Sequence, residues 1–580
     1  MCGIVGYIGP RNAAEVVIKG LKKLEYRGYD SFGIAVSSDQ ISILKKGGRI
    51  QESFFNLNEL NSGLVIGHTS WATHGIPNDT NAHPHSDCSN NIALVHNGII
   101  ENFLSLREDL LIRGHIFKSD TDTEVIVHLI EEFYNGDLLY AVRDVIPLLQ
   151  GSFAILVIAK GEKRIIAARY KSPLVLGIGD GEVIAGSDVT PILDYTPDVI
   201  FLEDGDLVSI RAEGVVIENS HVIIERLVTC VDWSREDARK GGFDHFMQKE
   251  IFEQASVFSQ AIRSVDYEAL KTILSGVKEI TVVGCGTSYH AGMIFRYLTE
   301  EFARIPVRVE FASEFKYSPP PLHGLLIALT QSGETADTLA AVEIAKNYEC
   351  TTLAITNVLG SSITRVAKNT LFMRAGPEVS VAATKSFIAE LAVLFCITDC
   401  LSEGELRTQS LDSAHKAIED ALLIDIDPAV DLLKNAGTVF FVGRGWYYPV
   451  SLEGALKLKE ISYIHAESYA AGEMKHGPFA LLSEETPVVA ICVEGPTYSV
   501  MISNIKEVKA RRAPVIAIGN KGDTDLCAVA DVVVTIPDTP RVIQILTITV
   551  ILQLLAYRTA VALGRDIDRP RNLAKSVTVE

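Results

Sequence analysis

The sequence predicts an α+β sandwich followed by two doubly wound α/β domains. Three observations predict it. Residues 1–215 are crowded with short β-branched runs punctuated by glycine, with only two strongly helical stretches among them. From residue 256 the pattern changes to buried strands alternating with helices, the form of a parallel sheet with crossover helices. That second pattern then occurs twice in the same order, at an offset of roughly 160 residues.

In the first region the strand-like runs are GIVGYIG, SFGIAVSS, GLVIGHTSWATHG, NIALVHNG, SFAILVIA, RIIAARY, PLVLGIG and EVIAGSD. Helices are expected over AAEVVIKGLKKLEY and DTDTEVIVHLIEEF, whose apolar residues fall at helical spacing, with Asp and Thr placed to cap the latter. Residues 216–255 include the charge-dense passage VDWSREDARKGGFDHFMQKEIFEQ and are expected to be a linker leading into a helix. Residues 256–410 and 411–570 are the two α/β domains, and 571–580 a C-terminal tail. The repeat rests on three ordered matches. EITVVGCGTSYHA answers to GTVFFVGRGWYYP, LLIALTQSGET to TPVVAICVEGPT, and TTLAITNVLGS to APVIAIGNKGD.

Bulk properties bound the function. The chain has 580 residues, 47% hydrophobic and 22% charged, enough for three or four packed cores. A formal charge of -20 argues against a nucleic-acid or anionic-membrane partner, whose affinity comes mainly from Lys and Arg. The nine cysteines are scattered with no CxxC pair, so neither a zinc ribbon nor a disulfide framework is expected, and a reducing cytoplasm is. Met1 leads straight into a strand-like segment, so no signal peptide is read. The most apolar stretch, Val542 to Tyr557, is short for a membrane span and contains Gln544 and Gln553, so a buried helix is expected.

Several motifs carry chemistry. Once Met1 is removed, Cys2 bears an α-amine titrating near pH ~8 beside its own thiol, an arrangement that suits a self-activated nucleophile. The same residue also fits the plain reading of a small side chain entering a first strand. Asn97-Gly98 follows the strand NIALVH and reads either as a hairpin turn or as an oxyanion hole built from an amide side chain and a backbone N–H. His68, His74, His83, His85 and His96 fit no standard zinc spacing, so no metal is expected. In the first α/β repeat, Cys285-Gly286-Thr287-Ser288 and Thr330-Gln331-Ser332-Gly333-Glu334-Thr335 each follow a strand and open a helix. Two such loops suit a phosphate, and the absence of a G-x-x-x-x-G-K-[ST] run argues against a nucleoside triphosphate. In the second repeat, Glu453, Lys457 and Glu460 share one helix face. They read as a surface salt-bridge ladder or as a proton-moving cluster.

MCGIVGYIG, LEYRGYDS, HTSWATHG, NAHPH, VHNGIIEN and SDTDTEV resemble the class II glutamine amidotransferase domain. CGTSYHAG, QSGETADT, LEGALKLKEISYIHAE, GEMKHGP and PRNLAKSVTVE resemble the two sugar isomerase domains of the isomerising glutamine–fructose-6-phosphate aminotransferase family. The resemblance spans nearly the whole chain. It implies a four-layer N-terminal nucleophile glutaminase domain ahead of the two isomerase domains, in a homodimer without cofactor. The implied reaction converts glutamine and fructose 6-phosphate into glutamate and glucosamine 6-phosphate, with ammonia passed between sites.

The resemblance also assigns roles. Cys2 is the nucleophile, and Asn97 and Gly98 hold the oxyanion. Arg27, Thr73, His74 and Asp122 form the glutamine pocket, and Trp71 gates ammonia. Cys285, Gly286, Thr287, Ser288, Thr330, Gln331, Ser332, Thr335, Val381 and Ala383 surround the sugar phosphate. His476 assists ring opening in a neighbouring subunit, Lys575 forms a Schiff base, and Glu460 moves the proton with help from Glu453 and Lys457. Two departures stand out. The family has arginine where this chain has Ser70, and serine where it has Ala383. The competing readings are an isomerase or deaminase using free ammonia, its glutaminase weakened by Ser70, and a non-catalytic sugar-phosphate sensor.

Overall fold

The computed structural model describes residues 2–577 apart from 57–59, 61, 72–74, 232–239, 349 and 408–410. It divides into two compact units, Met1–Ala238 with Ser576–Glu580, and Arg239–Lys575.

The first unit is a four-layer sandwich. One eight-stranded antiparallel sheet runs Val228–Cys230, Asp198–Phe201, Val175–Ile178, Val183–Gly186, Gly3–Ile8, Leu64–Ser70, Ser31–Ser37 and Ile41–Gly47. A seven-stranded sheet runs Val222–Ile224, Gly214–Asn219, Asp206–Arg211, Ile165–Tyr170, Gly151–Ala159, Ile92–Ile100 and His85–Ser86. Ile4, Ile66, Val95 and Leu156 pack between the two sheets. The helix Ala13–Lys23 closes one outer face, and Glu124–Phe133 with Leu138–Val145 closes the other. A strand covered on both faces must be apolar throughout, which is why GIVGYI is buried at every position. Gly6 lets the sheets approach: a Cβ there would lie 2.6 Å from Leu156 Cδ1.

The linker expected over 216–255 is shorter. Gly214–Asn219 and Val222–Ile224 pair as a hairpin, and Val228–Cys230 joins the other sheet. The hairpin turns on Ser220 and His221, with φ of 51° and 66°, the doubly left-handed two-residue turn more often made by Asn-Gly. At the other end, Phe246–Phe252 is already a helix of the second unit.

The second unit holds two five-stranded parallel sheets. One runs Val307–Phe311, Ile280–Gly284, Leu325–Thr330, Thr351–Thr356 and Asn369–Phe372. The other runs His465–Ala470, Thr438–Gly443, Val488–Ile491, Val515–Asn520 and Val532–Ile536. In each, the second strand in sequence lies outside the first, so the order reverses between the first and third strands, where α/β sheets bind ligands. One continuous core joins the repeats and includes the helices Lys385–Leu401, Tyr447–Ser462 and Arg541–Ala562. Arg541–Ala562 is long and apolar enough to cross a membrane, but 83% of its most apolar window is buried inside the fold. It is apolar all round because other elements surround it.

Candidate active sites

In the first unit a pocket opens at the ends of three strands and is lined by Cys2, Ser31, Ser70, Trp71, Gly98 and Asp122 with their neighbours. The Asn97-Gly98 pair is not a turn. It lies within the strand Ile92–Ile100, opposite Ala154 and Phe153. Gly98 has φ +134°, and a Cβ there would sit 2.0 Å from the Ser152 carbonyl oxygen, so only glycine fits. Asn97 Nδ2 donates to the Cys2 carbonyl at 3.0 Å, which ties the amide to the first residues of the chain. The Cys2 thiol donates to the Trp71 carbonyl at 3.5 Å. Burial pushes that thiol up, and the Asp122 and Asp30 carboxylates push the same way. Asp122 is buried and accepts from the Ile100 N–H at 2.8 Å. Trp71 packs edge-on against Tyr29.

Buried imidazoles back this pocket. His68 and His83 stack at 4.0 Å, and His83 meets His85 at 4.7 Å. One nitrogen of each ring meets a neutral partner: His68 Nε2 the His96 carbonyl, His83 Nε2 and His96 Nδ1 the Thr123 hydroxyl, and His85 Nε2 Thr121, while His68 Nδ1, His83 Nδ1 and His96 Nε2 are buried without a partner among the described residues. Burial drives His68 and His85 down to about 3 and His83 well below its ordinary value, so all three are uncharged at neutral pH.

Arg27 does not line the pocket. Its guanidinium donates to Asp188 at 2.9 Å and reaches the Tyr26 hydroxyl. Ser70 does line it, sharing a hydrogen bond with Ser31 across the paired strands. Among the described residues, no Lys or Arg lines this pocket. Thr73 and His74 lie outside the described residues.

In the second unit, Cys285-Gly286 ends the strand Ile280–Gly284, and Gly286 turns with φ 52° into the helix Thr287–Phe302. The loop Thr330–Thr335 leaves the adjacent parallel strand. Its hydroxyls brace it: Thr330 accepts from the Gly333 N–H and bonds Thr335, and Ser332 accepts from the Glu334 N–H. Gln331 accepts from the Asn357 N–H through its carbonyl. These two loops flank the point where strand order reverses.

The helix Tyr447–Ser462 from the second repeat meets the first repeat here. Thr287 donates to Glu453 at 3.1 Å and accepts from Lys457 at 3.2 Å. Lys457 pairs with Glu460 at 2.6 Å and with Glu453 at 3.5 Å. Glu453 and Lys457 are both 1% exposed, so this is a buried cluster rather than a surface ladder. Burial opposes charge on both, but Lys457 with His290 holds Glu453 below the usual carboxylate range, and Glu460 with Glu453 holds Lys457 above the usual amine range. Lys575 pairs with buried Glu378, which also accepts from the Thr384 and Ser386 N–H groups. Val381 and Ala383 lie in that same segment, where Val381 N–H donates to the Asp568 carbonyl. His476 is exposed on the short helix Glu473–His476 and takes no part in this cluster.

Four buried groups here carry no sequence signature. His290 bonds Glu453 at 2.8 Å, one turn beyond Thr287 on its helix. Glu390 accepts from Ser288 at 2.7 Å, and burial pushes it up to about 8. Glu250 is pushed up by burial and by the neighbouring Glu378, the carboxylate that holds Lys575. Of the charged cluster, only the spacing of Glu453, Lys457 and Glu460 was visible as a pattern along the chain, beside the two hydroxyl loops.

Comparison with known proteins agrees with this layout. The SIS domain family matches residues 273–397 and 432–563, and the glutamine amidotransferase domain family matches 68–194. The chain is 44% identical to the glutamine–fructose-6-phosphate aminotransferase (isomerizing) of Chlorobaculum tepidum and 46% identical to that of Pyrococcus horikoshii, covering 100% of both chains in each case. The crystallised C-terminal domain of glucosamine-fructose-6-phosphate aminotransferase from Francisella tularensis matches with TM-score 0.53 and 34% identity, over 57% of this chain and 99% of that one.

Proposed function

We infer the division of labour between the two sites from a chain that belongs to the isomerizing glutamine–fructose-6-phosphate aminotransferase family. The enzyme converts glutamine and fructose 6-phosphate into glutamate and glucosamine 6-phosphate. The observation that carries the assignment of residues is that one chain builds both a half-buried thiol beside an amide-and-glycine strand and a Glu–Lys–Glu face, its Glu453 and Lys457 buried, against a hydroxyl loop.

In the first site Cys2 Sγ attacks the carboxamide carbon of glutamine. With the thiol pushed up by burial, a base must take its proton, and the α-amine of Cys2 after loss of Met1 is within the same residue. Asn97 Nδ2 and the Gly98 N–H stabilise the oxyanion. Collapse expels ammonia and leaves a thioester, which water hydrolyses to glutamate and free thiol. Asp122 holds the α-ammonium of the substrate. Thr73 and His74 complete the pocket, and Trp71 guards it.

In the second site the phosphate rests on the loops Cys285–Ser288 and Thr330–Thr335. Lys575 condenses with the C2 carbonyl, releasing water; ammonia then displaces the lysine. Glu460 takes a proton from C1 and returns it to C2, leaving an aldehyde at C1 and the amine at C2. Lys457 and Glu453 hold Glu460 in place. His476 opens the sugar ring from a partner subunit, in a homodimer.

The test uses glutamine labelled with ¹⁵N at the amide, in excess unlabelled ammonium. Labelled glucosamine 6-phosphate is expected. Unlabelled product with normal sugar turnover would favour the reading in which free ammonia is the donor, which the Ser70 pocket without a lining cation supports. Sugar binding without either product would make the chain a sensor.

A further inference from the structure

We propose that Cys88, His115, His128 and Glu131 form a zinc-class divalent metal site on the outer face of the first unit. Their four donor atoms lie within 4.8 Å of one another. They come from three separate segments: the loop after His85–Ser86, the loop after the helix Phe103–Ile112, and the helix Glu124–Phe133, where His128 and Glu131 stand one turn apart. None of the four lines the glutamine pocket.

Four of the six donor–donor distances lie near those of a tetrahedron, and all six are within 4.8 Å. Cys88 Sγ is 3.7 Å from both His115 Nδ1 and His128 Nδ1. Glu131 Oε2 is 3.0 Å from His115 Nδ1 and 3.1 Å from His128 Nδ1. A zinc ion with Zn–S near ~2.3 Å and Zn–N or Zn–O near ~2.0–2.1 Å separates its ligands by roughly 3.3–3.6 Å. Across those four pairs, filling the site needs shifts of a few tenths of an ångström. The charge also balances: a thiolate and a carboxylate neutralise a divalent cation, and two neutral imidazoles complete it.

The outer contacts are a second, independent sign. Both histidines turn Nδ1 inward and set Nε2 near a carboxylate. His115 Nε2 is 3.3 Å from Glu132 Oε1, and His128 Nε2 is 3.7 Å from Glu124 Oε1. Such carboxylates fix the tautomer of metal-bound histidines. Glu124 is itself held by the Lys118 and Ser119 N–H groups, and Glu132 by Arg113. Cys88 is exposed, which leaves an entry path. The mixed S, N and O set suits zinc over calcium or magnesium. The sequence expectation of no metal rested on the spacing of other histidines: His68, His74, His83, His85 and His96. A metal here would staple the helix that follows Asp122 to the loop entering the strand of Asn97 and Gly98.

The full-length chain, stripped with chelator, is titrated with cobalt(II) chloride and then challenged with zinc chloride. Expected are a thiolate-to-cobalt charge-transfer band and tetrahedral d–d bands saturating at about one equivalent, displaced by zinc. Cys88→Ser should lose the charge-transfer band, and Glu132→Gln should weaken binding about 10–100-fold. Because Cys88 is exposed and outside the pocket, glutamine hydrolysis by Cys88→Ser reports that the variant folds. No tetrahedral spectrum in the parent chain, or a thiolate band that survives Cys88→Ser, would overturn the site.

Discussion

The two sites bury reactive groups in opposite ways. The glutamine pocket keeps most of its reactive groups uncharged, its thiol pushed up and its histidines neutral, with the Asp122 carboxylate in its lining. The sugar site buries charges and pairs them: Lys457 with Glu453 and Glu460, Lys575 with Glu378. Neutral imidazoles suit the making of ammonia, which must stay unprotonated to react. A site that shuttles protons at a sugar phosphate needs charged groups whose affinities are set by partners. The difference teaches that one chain can hold two local regimes, and that substitutions should fail differently in each.

The largest expected effect tests the glutamine site. Cys2→Ala, or an uncleavable tag before Cys2, should lower glutamate release by about 10³-fold or more. Product formation from high ammonium should persist in both. A tagged chain hydrolysing glutamine at the untagged rate would remove the α-amine from its role.

The paired site should respond next. Borohydride with fructose 6-phosphate should trap the peptide containing Lys575, read by mass spectrometry; trapping at Lys457 alone would reverse the two lysines. Glu378→Gln breaks a buried pair and leaves Lys575 without its partner, so sugar turnover should fall about 100-fold, consistent with about 3 kcal/mol. Glutamine hydrolysis without sugar should be unchanged.

Ser70→Arg places a cation in the glutamine pocket. A guanidinium matches an α-carboxylate bidentately, where a serine hydroxyl offers one neutral hydrogen bond. KM for glutamine should fall about tenfold, worth about 1.4 kcal/mol, with KM for fructose 6-phosphate unchanged. Arg27, paired to Asp188, is not placed to act as a substitute clamp. An unchanged or raised KM would remove the missing-clamp explanation.

The smallest effect is opposite slopes of stability with pH. His68 and His85 fall to about 3 on folding from an ordinary value near ~6.5, so the unfolded chain binds more protons between those values. The first unit should therefore lose stability as pH drops from 6.5 toward 3. Glu390 rises to about 8, so the folded chain holds the extra proton between ~4.5 and 8. The second unit should lose stability as pH rises through that window. Glu390→Gln should raise Tm at pH 8.5 by about 1–3 °C and leave it unchanged at pH 5, by calorimetry. An equal shift at both values would mean that Glu390 is ionised throughout.

Periodicity made the fold legible. Alternating runs marked the sandwich, and the ordered repeat marked two parallel sheets whose matching strand orders the structure displays. The hairpin at Ser220-His221 was missed because neither residue signals a left-handed turn. At the sites, spacing revealed only what one element carries: Glu453, Lys457 and Glu460 on one helix. Glu378, Glu250 and Glu390 converge from distant segments that share no period. Asn97-Gly98 was ambiguous because a turn and a strand glycine look alike until the Ser152 carbonyl is seen against it.

The long apolar helix Arg541–Ala562 has a consequence during synthesis. It packs directly on the helix Tyr447–Ser462, which carries Glu453, Lys457 and Glu460. At ~5–20 residues per second, its last turn leaves the ribosome roughly 5–20 seconds after Ser462. For that interval the face of Tyr447–Ser462 that Arg541–Ala562 covers stays open and is a target for chaperones, although Thr287–Phe302 and Thr438–Gly443 can already pack against the helix. The sugar site is thus assembled only after Ala562 has emerged, and no nascent chain ending before it can begin turnover.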